Sequence, residues 1–470
     1  MNTLHLIKKL IPKKILNKIR PVYHFLFSFV AAFVYRFPSE KLIIIGVTGT
    51  TGKTTTTHLT AKMLENAGYK VGYTSTALLK VGEKEWLNDK RMTMAGRFFT
   101  QKMLRDMLRV GCRYAIVETT SEGVEQFRHR FINYDILVFT GLYPEHIESH
   151  GGFENYKKAK GKLFAHLERC KSKYIDEEKR VIKVKNEIKK IHLERIKKTI
   201  IVNGDDEHAN YFLGFKAEQK FLYQVTSNNP EASGQGTINN PDDKHQKLIA
   251  KSVIADSAGV HFEVEKIKFD LQLMGEFQSY NAMAAVCVGL TQKLSLAKIS
   301  ESMRDIKAVP GRFEKIDEGQ NFTVIVEFAH EPHALEKFYG IINKIPHNRI
   351  IHVLGSAGGG RDIARRPILG KVAGENADIV IITNEDPYDD DPSIIIDQIA
   401  IGAEKSGKVV GQTILKIEDR KEAIKKAINI AKENDMVVIT GKGCEQVMWM
   451  ADGKKIPSDD RQIARELIQH

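Results

Sequence analysis

The stretch Leu42-Ile43-Ile44-Ile45-Gly46-Val47-Thr48-Gly49-Thr50-Thr51-Gly52-Lys53-Thr54-Thr55-Thr56-Thr57 decides the fold. Its β-branched run at 42–47 reads as a strand, and Gly52-Lys53-Thr54 opens a helical pattern ending near Ala67-Gly68. A strand, a glycine loop and a helix N-terminus together make an anion site. Small residues let backbone N–H groups approach phosphate oxygens, and the helix dipole adds positive potential. The loop residues are Gly49, Thr50, Thr51, Gly52, Lys53, Thr54 and Thr55. In such a loop Lys53 reaches the β/γ-phosphates of ATP and the Thr54 hydroxyl sits on Mg2+. The strict spacing G-x-x-x-x-G-K-[ST] is not met, because Val47 occupies the first glycine position.

Outward from this loop, strands are predicted at 42–47, 114–118, 135–140 and 199–202, and helices at 54–67, 99–110 and 154–168. This is α/β patterning, doubly wound around a mainly parallel sheet, in which ligands collect at the carboxyl ends of strands. Glu118 and the 141–146 loop fall at such ends. A carboxylate, and an imidazole at His146, beside a phosphate loop suit a Mg2+-nucleotide. Near Val309-Pro310-Gly311-Arg312 a second α/β unit begins, with strands at 323–328, 349–354, 378–383 and 435–440. The expected organisation is an N-terminal segment (1–40), a central ATP-binding P-loop domain (41–309) and a C-terminal Rossmann-like domain (310–470).

At 470 residues, and roughly 150 per domain, two or three domains are expected, and 42% hydrophobic residues suffice for real cores. The net charge of +12 suits nucleic acid, a membrane surface or anionic small substrates. No motif interleaves aromatic and basic residues as nucleic-acid modules do, so no nucleic-acid partner is expected. Residues 171–198, with eleven Lys/Arg against five Asp/Glu, read as a solvated amphipathic helix, and 226–246 as a surface loop or hairpin connection. Cys112, Cys170, Cys287 and Cys444 form no C-x-x-C pair, which argues against a structural zinc site or disulfides and fits a reducing cytoplasm.

Residues 1–21 carry six Lys/Arg and no acid, with Ile7, Leu10, Ile11, Ile15 and Ile19 at helical spacing. The uncharged run 22–35 is shorter than the roughly 20 residues of a membrane span. Two readings stand: peripheral contact of residues 1–36 with the inner face of the cell membrane through anionic lipid, or a helix docked on the protein itself.

The motifs together are similar to one family. Thr48 through Thr54, Glu118 through Arg128, Pro144-Glu145-His146, Tyr156 through Lys160, Tyr280 through Ala285, Val309-Pro310-Gly311-Arg312, Ala329-His330 and Gly441-Lys442-Gly443 resemble the Mur ligases, in order from about residue 41 to 470. Gln126-Phe127-Arg128, His150-Gly151, Arg361-Asp362, Arg365-Arg366-Pro367, Asp386-Pro387 and the tail from Lys455 to Arg461 resemble the branch adding the third residue of the peptidoglycan stem peptide. The resemblance implies ATP-dependent amide formation through an acyl phosphate, with a muramoyl-peptide precursor and a diamino acid as partners and a monomeric enzyme. It implies nucleotide contacts by the loop, Asn281, Arg312 and Glu327. It places Mg2+ on Thr54 and Glu118, and a second metal at His146 and at Lys160 as a carbamate. Lys53, Lys160, His146 and Arg312 become the catalytic set. Ser121, Gln126, Arg128, Arg361, Glu385, Asp386, Gly441 and Glu445 become the substrate set.

Two departures qualify the resemblance. Only about 40 residues precede the loop strand, where the family carries a domain for the uridine nucleotide, so the UDP end is bound differently or the acceptor is altered, for example lipid-linked. Where diaminopimelate-adding enzymes have Asp-Asn-Pro-Arg, this chain has Glu385-Asp386-Pro387-Tyr388, which leaves lysine, ornithine or another diamine open beside diaminopimelate. The alternatives are another Mur-type ligase (polyglutamate-adding or amidating) and a non-catalytic ATP-binding scaffold at a membrane.

Overall fold

A computed structural model describes residues 13–90, 92–143, 151–174, 181–184, 187–190, 194–227, 245–256, 258–360 and 363–469. The chain divides into two units, Met1–Ala255 with Gly259–Ile306, and Asp256–Ala258 with Lys307–His470.

Among the described residues, the main sheet of the first unit has eleven strands. Its parallel centre runs Gln246–Ala255, Gln219–Ser227, Thr199–Asn203, Ile136–Phe139, Ile43–Thr48, Tyr114–Glu118 and Val71–Thr74. Antiparallel strands close both edges: Val260–Val264 with Ile267–Leu271 on one side, Leu78–Val81 with Lys84–Leu87 on the other. Every residue of Ile43–Thr48 is buried. Such a strand is apolar throughout because helices cover both faces of a parallel sheet. Register then sets the site: Val47 lies opposite Glu118 and Thr48 opposite Phe139. Glu118 and Thr140 therefore flank the loop that follows Thr48.

The second unit carries a six-stranded sheet among its described residues, in the order Glu314–Ile316, Thr323–Val326, Met436–Ile439, Ile350–Leu354, Ile379–Ile382 and Ile414–Lys416. The first strand is antiparallel and the rest are parallel. Val324, Val326, Ile351, Val353, Ile381, Val437 and Ile439 pack beneath helices Arg420–Ile430 and Asp460–Gln469.

Three expectations need correction or completion. Residues 171–198 are not a helix where they are described. Val181–Val184 pairs antiparallel with Glu187–Lys190, and Lys173–Tyr174 with Arg195–Ile196. The β-branched residues of Val181-Ile182-Lys183-Val184 outweigh the charge count. Nor is this segment's charge all solvated. Lys173 donates to the Leu42 carbonyl (2.7 Å), the Asn133 carbonyl (2.6 Å) and the Asp135 carboxylate (2.5 Å). Lys198 donates to the Tyr134 carbonyl (2.6 Å) and to Asp135 (2.8 Å), whose other oxygen also accepts the Ile44 N–H at 2.9 Å. Second, residues 228–244 lie outside the described residues, but the flanking strands pair in parallel, Phe221 opposite Gln246, so no hairpin joins them. Third, residues 13–34 form one helix that docks on the first unit: the Ser28 hydroxyl donates to the Phe127 carbonyl at 2.9 Å.

Asp135 is completely buried, and both of its ammonium partners are nearly so. Breaking such a pair strands uncompensated charge. Asp135→Ala is expected to lower the unfolding free energy by about 3–5 kcal/mol, measured by urea denaturation. A loss below about 1 kcal/mol, the value of an exposed pair, would contradict this account of the segment.

Candidate active site

In the first unit, strand Ile43–Thr48 hands the chain to a loop that ends at Gly52, the N-cap of helix Lys53–Asn66. Gly52 has φ +79°, and a Cβ there would collide with Asn281 Oδ1, so both conformation and space require glycine. Asn281, on helix Gln278–Thr291, is thereby seated on the loop. Its Oδ1 lies 3.3 Å from the Thr56 hydroxyl, and its amide donates to Gln278 Oε1 at 2.9 Å. Other ties fix the loop: Thr50 N–H to the Gly141 carbonyl (2.8 Å), the Thr50 hydroxyl near the Tyr156 hydroxyl (3.2 Å), and the Thr140 hydroxyl to the Thr51 carbonyl (2.6 Å). Lys53 Nζ curls over the loop and donates to the Thr50 carbonyl at 2.6 Å.

The Thr54 hydroxyl meets both oxygens of the Glu118 carboxylate, at 3.0 and 3.1 Å. Thr76 completes the setting, donating to the same carboxylate from its N–H (2.8 Å) and hydroxyl (2.9 Å). A hydroxyl and a carboxylate at a helix N-terminus, next to the loop amides, are the hard-oxygen donors that Mg2+ takes. Buried Lys160, on helix Phe153–Leu167, donates to the Gly49 carbonyl at 2.8 Å, with Nζ 4.5 Å from the Tyr156 ring centre. Lys160 and the Thr54–Glu118 pair thus both adjoin the loop. Thr55 is buried behind it. His146, with Pro144 and Glu145, lies outside the described residues.

After strand Tyr114–Glu118, Ser121 opens the short helix Ser121–Glu125, whose Thr120 cap accepts the Gly123 N–H at 3.1 Å. Gln126 Oε1 receives two N–H groups of Arg128 (3.1 and 2.6 Å), and Arg128 also donates to the Met94 carbonyl. These partners are uncharged. Burial, then the neighbouring Arg97 guanidinium, holds the Arg128 pKa below its usual value. Two guanidiniums so placed favour an incoming anion.

In the second unit, Gly311 abuts the backbone of Gly443 and Cys444. The Arg312 guanidinium lies 4.1 Å from the Phe328 ring centre, with Nε buried and without a hydrogen-bond partner. The Glu327 carboxylate accepts the N–H groups of Phe313 (2.6 Å) and Ala329 (3.2 Å); burial raises its pKa, against the pull of Arg312. Glu385 lies against Gly441, where a Cβ would strike its carboxylate and φ is +105°. Burial raises the Glu385 pKa too, opposed by His330, Arg420, Arg365 and Lys442. Lys442, fully buried, bridges Asp386 and Glu445, each at 3.1 Å. Tyr388 stacks on Trp449 with ring centres 6.1 Å apart, and the Trp449 backbone N–H donates to Asp386 at 2.9 Å. Arg361 lies outside the described residues.

Several supports escaped the sequence reading: Thr76 on Glu118, Trp449 beneath Tyr388, and Arg420, which donates to Asp460 at 2.8 and 2.7 Å. Asp206 was also missed; it accepts the Leu142 N–H at 2.6 Å and so fixes the loop after Ile136–Phe139. None has a spacing signal, because each partner arrives from a distant strand or helix.

A phosphate loop on a parallel sheet, followed by a second α/β unit with a buried acid–lysine cluster, defines an ATP-using ligase architecture. Residues 47–197 and 173–289 match the Mur ligase middle domain, and residues 311–443 the Mur ligase, glutamate ligase domain. The chain belongs to the Mur ligase family and is an ATP-dependent, ADP-forming acid–amino-acid ligase of peptidoglycan synthesis. It is 35% identical to a UDP-N-acetylmuramyl-tripeptide synthetase of Roseiflexus sp. (strain RS-1), over 88% of this chain and 76% of that one. It is 32% identical to a UDP-N-acetylmuramoyl-L-alanyl-D-glutamate--2,6-diaminopimelate ligase of Halalkalibacterium halodurans, over 94% of this chain and 81% of that one. A solved structure of a ligase of that same name superposes with a TM-score of 0.57 at 25% identity, covering 91% of this chain and 78% of that one.

Behind Gly441, His352 is fully buried between the Tyr339 hydroxyl (2.7 Å) and the Thr440 hydroxyl (2.9 Å). Burial pushes its pKa from 6.5 down to about 3. The unfolded chain therefore takes up a proton below pH 6.5 that the folded unit refuses. This contribution to stability is complete above pH 6.5 and is lost as pH falls toward 3, by about 1.4 kcal/mol per pH unit. Chemical denaturation between pH 7 and 5 is expected to show His352→Gln losing that slope relative to wild type. An unchanged slope would contradict a buried neutral His352.

Proposed function

We propose that this ligase adds a diamino acid to a muramoyl-dipeptide-type acceptor. The observation that carries the reading is the Thr54–Glu118 pair at the start of helix Lys53–Asn66, directly after a loop that Asn281 and Gly52 shape for phosphate. In the proposed reaction the acceptor's terminal carboxylate attacks the γ-phosphorus of ATP, giving an acyl phosphate and ADP. The amine of the amino acid then attacks the acyl carbon. The tetrahedral adduct collapses with loss of phosphate, and the amine's proton passes to solvent or a nearby base. Mg2+, held on Thr54 and Glu118, would neutralise phosphate charge during transfer. Lys53 and Arg312 supply positive charge for the same purpose. Lys160, His146 and Glu327 keep the roles the family resemblance gives them.

Ser121, Gln126 and Arg128 receive the acceptor, with Arg128 for its anionic group. Arg361, Glu385, Asp386, Gly441 and Glu445 select the amino acid. Here Glu445, already bridged to Lys442, offers a carboxylate to a distal ammonium. At the position of the arginine that would grip a distal carboxylate stands Tyr388, stacked on Trp449. That favours a diamine without a second carboxylate, lysine or ornithine, over diaminopimelate. Peripheral contact with the inner face of the membrane is a separate proposal that the ligase chemistry does not require.

Phosphate release, measured with acceptor and amine present, is expected to fall at least about 100-fold in Lys53→Ala and in Glu118→Gln. Tyr388→Arg is expected to shift kcat/KM toward diaminopimelate by about ten-fold or more. Undiminished turnover in both site variants, or turnover needing neither acceptor nor amine, would overturn the ligase reading. No shift in Tyr388→Arg would overturn the selectivity part alone.

A further inference from the structure

Helix Lys13–Val34 docks by a narrow face. Ser28, Ala31 and Ala32 are buried, Arg97 donates to the Ser28 hydroxyl at 3.0 Å, and the rings of Phe25 and Phe29 meet Phe131 at 5.1 and 5.4 Å. From Val22 onward most of its remaining surface is apolar and open: Val22 is 58% exposed, Leu26 52%, Phe33 65% and Val34 56%. No described helix is long and apolar enough to cross a membrane. The same helix carries Lys13, Lys14, Lys18 and Arg20, and no acid occurs before Glu40.

Beside it opens a cavity of about 310 Å³, lined by Phe127, His129, Arg130, Lys162, His166 and Arg169 among others. Phe127 joins the two features. Its ring lies 6.4 Å from Phe25 on the helix and 5.9 Å from the Arg130 guanidinium in the cavity. Among the described residues no carboxylate pairs with Arg130 or Arg169, whereas Lys162 is paired with Glu125 at 2.7 Å. Arg130 Nε is buried without a hydrogen-bond partner, and His166 Nε2 lies 3.0 Å from the Ile132 carbonyl. Burial lowers the pKa of both histidines, that of His166 to about 4, so they are neutral at pH 7. Three cations, Arg130, Lys162 and Arg169, thus line the cavity beside one carboxylate, Glu125. A phosphate oxygen relieves such an arrangement.

We propose that this surface docks on an anionic phospholipid bilayer, the apolar face of helix Lys13–Val34 lying in the interface and a lipid phosphate entering the cavity at Arg130 and Arg169. The inference is independent of the ligase chemistry. A second copy of the chain suits the surface less well, because a two-fold contact sets the same basic residues against one another. Free phosphate would fill the cavity but leave the apolar strip without a role.

Flotation of the intact chain with vesicles tests the proposal. Wild type is expected to float with phosphatidylcholine vesicles containing phosphatidylglycerol, to stay behind with phosphatidylcholine alone, and to be released by high salt. Arg130→Ala/Arg169→Ala is expected to bind the anionic vesicles more weakly by roughly five-fold per arginine. Arg130→Gln/Arg169→Gln, which keeps side-chain bulk, replaces it if alanine lowers the melting temperature. Leu26→Glu/Phe33→Glu is expected to abolish flotation while ATP turnover and melting temperature stay at wild-type values. The proposal is overturned if wild type fails to float, binds neutral and anionic vesicles equally, or is unaffected by the arginine changes. It is likewise overturned if glycerol phosphate binds without flotation, or if sedimentation shows a dimer that Leu26→Glu/Phe33→Glu dissociates.

Discussion

The site depends on one carboxylate held at the edge of a phosphate loop. Glu118 ends a buried strand, and its position opposite Val47 brings it to the first turn of the following helix. Thr54 and Thr76 satisfy it there with hydroxyl and amide donors, and among the described residues no ammonium pairs with it, which leaves its oxygens open to a metal. Everything that fixes the strand register fixes this geometry. The Asp135 cluster does so at the opposite end, tying Ile44 of the loop strand to Lys173 and Lys198.

Charge is unevenly shared. The buried cations are nearly all answered: Lys173 and Lys198 by Asp135, Arg420 by Asp460, Lys442 by Asp386 and Glu445. These pairs specify positions more than they add stability, because desolvation offsets much of their attraction. The excess of basic charge is therefore expressed elsewhere, at Arg97 with Arg128 and at Arg130 with Arg169, both where an anion can approach.

The phosphate loop was legible in sequence because its chemistry is local: strand, glycines, lysine and threonine lie within sixteen residues. The missing first glycine pointed to the family and not away from it, and the family match supplied what spacing could not. The parallel core was legible from β-branched runs of strand length. The 171–198 segment was misread because counting charges hides its β-branched strand residues, and because nothing in its sequence shows that Lys173 and Lys198 turn inward to Asp135. Thr76, Trp449 and Arg420 were illegible for a related reason. Each becomes part of a site through a partner 36 to 63 residues away.

The central claim is that this chain forms an amide bond at the expense of ATP. Mass spectrometry of the acceptor tests it most directly. Wild-type protein is incubated with ATP, Mg2+, UDP-muramoyl-dipeptide and lysine, ornithine or diaminopimelate in turn. The account predicts an acceptor heavier by one diamino-acid residue, with one ADP formed per bond. ADP formation with an acceptor of unchanged mass for every amine would contradict it.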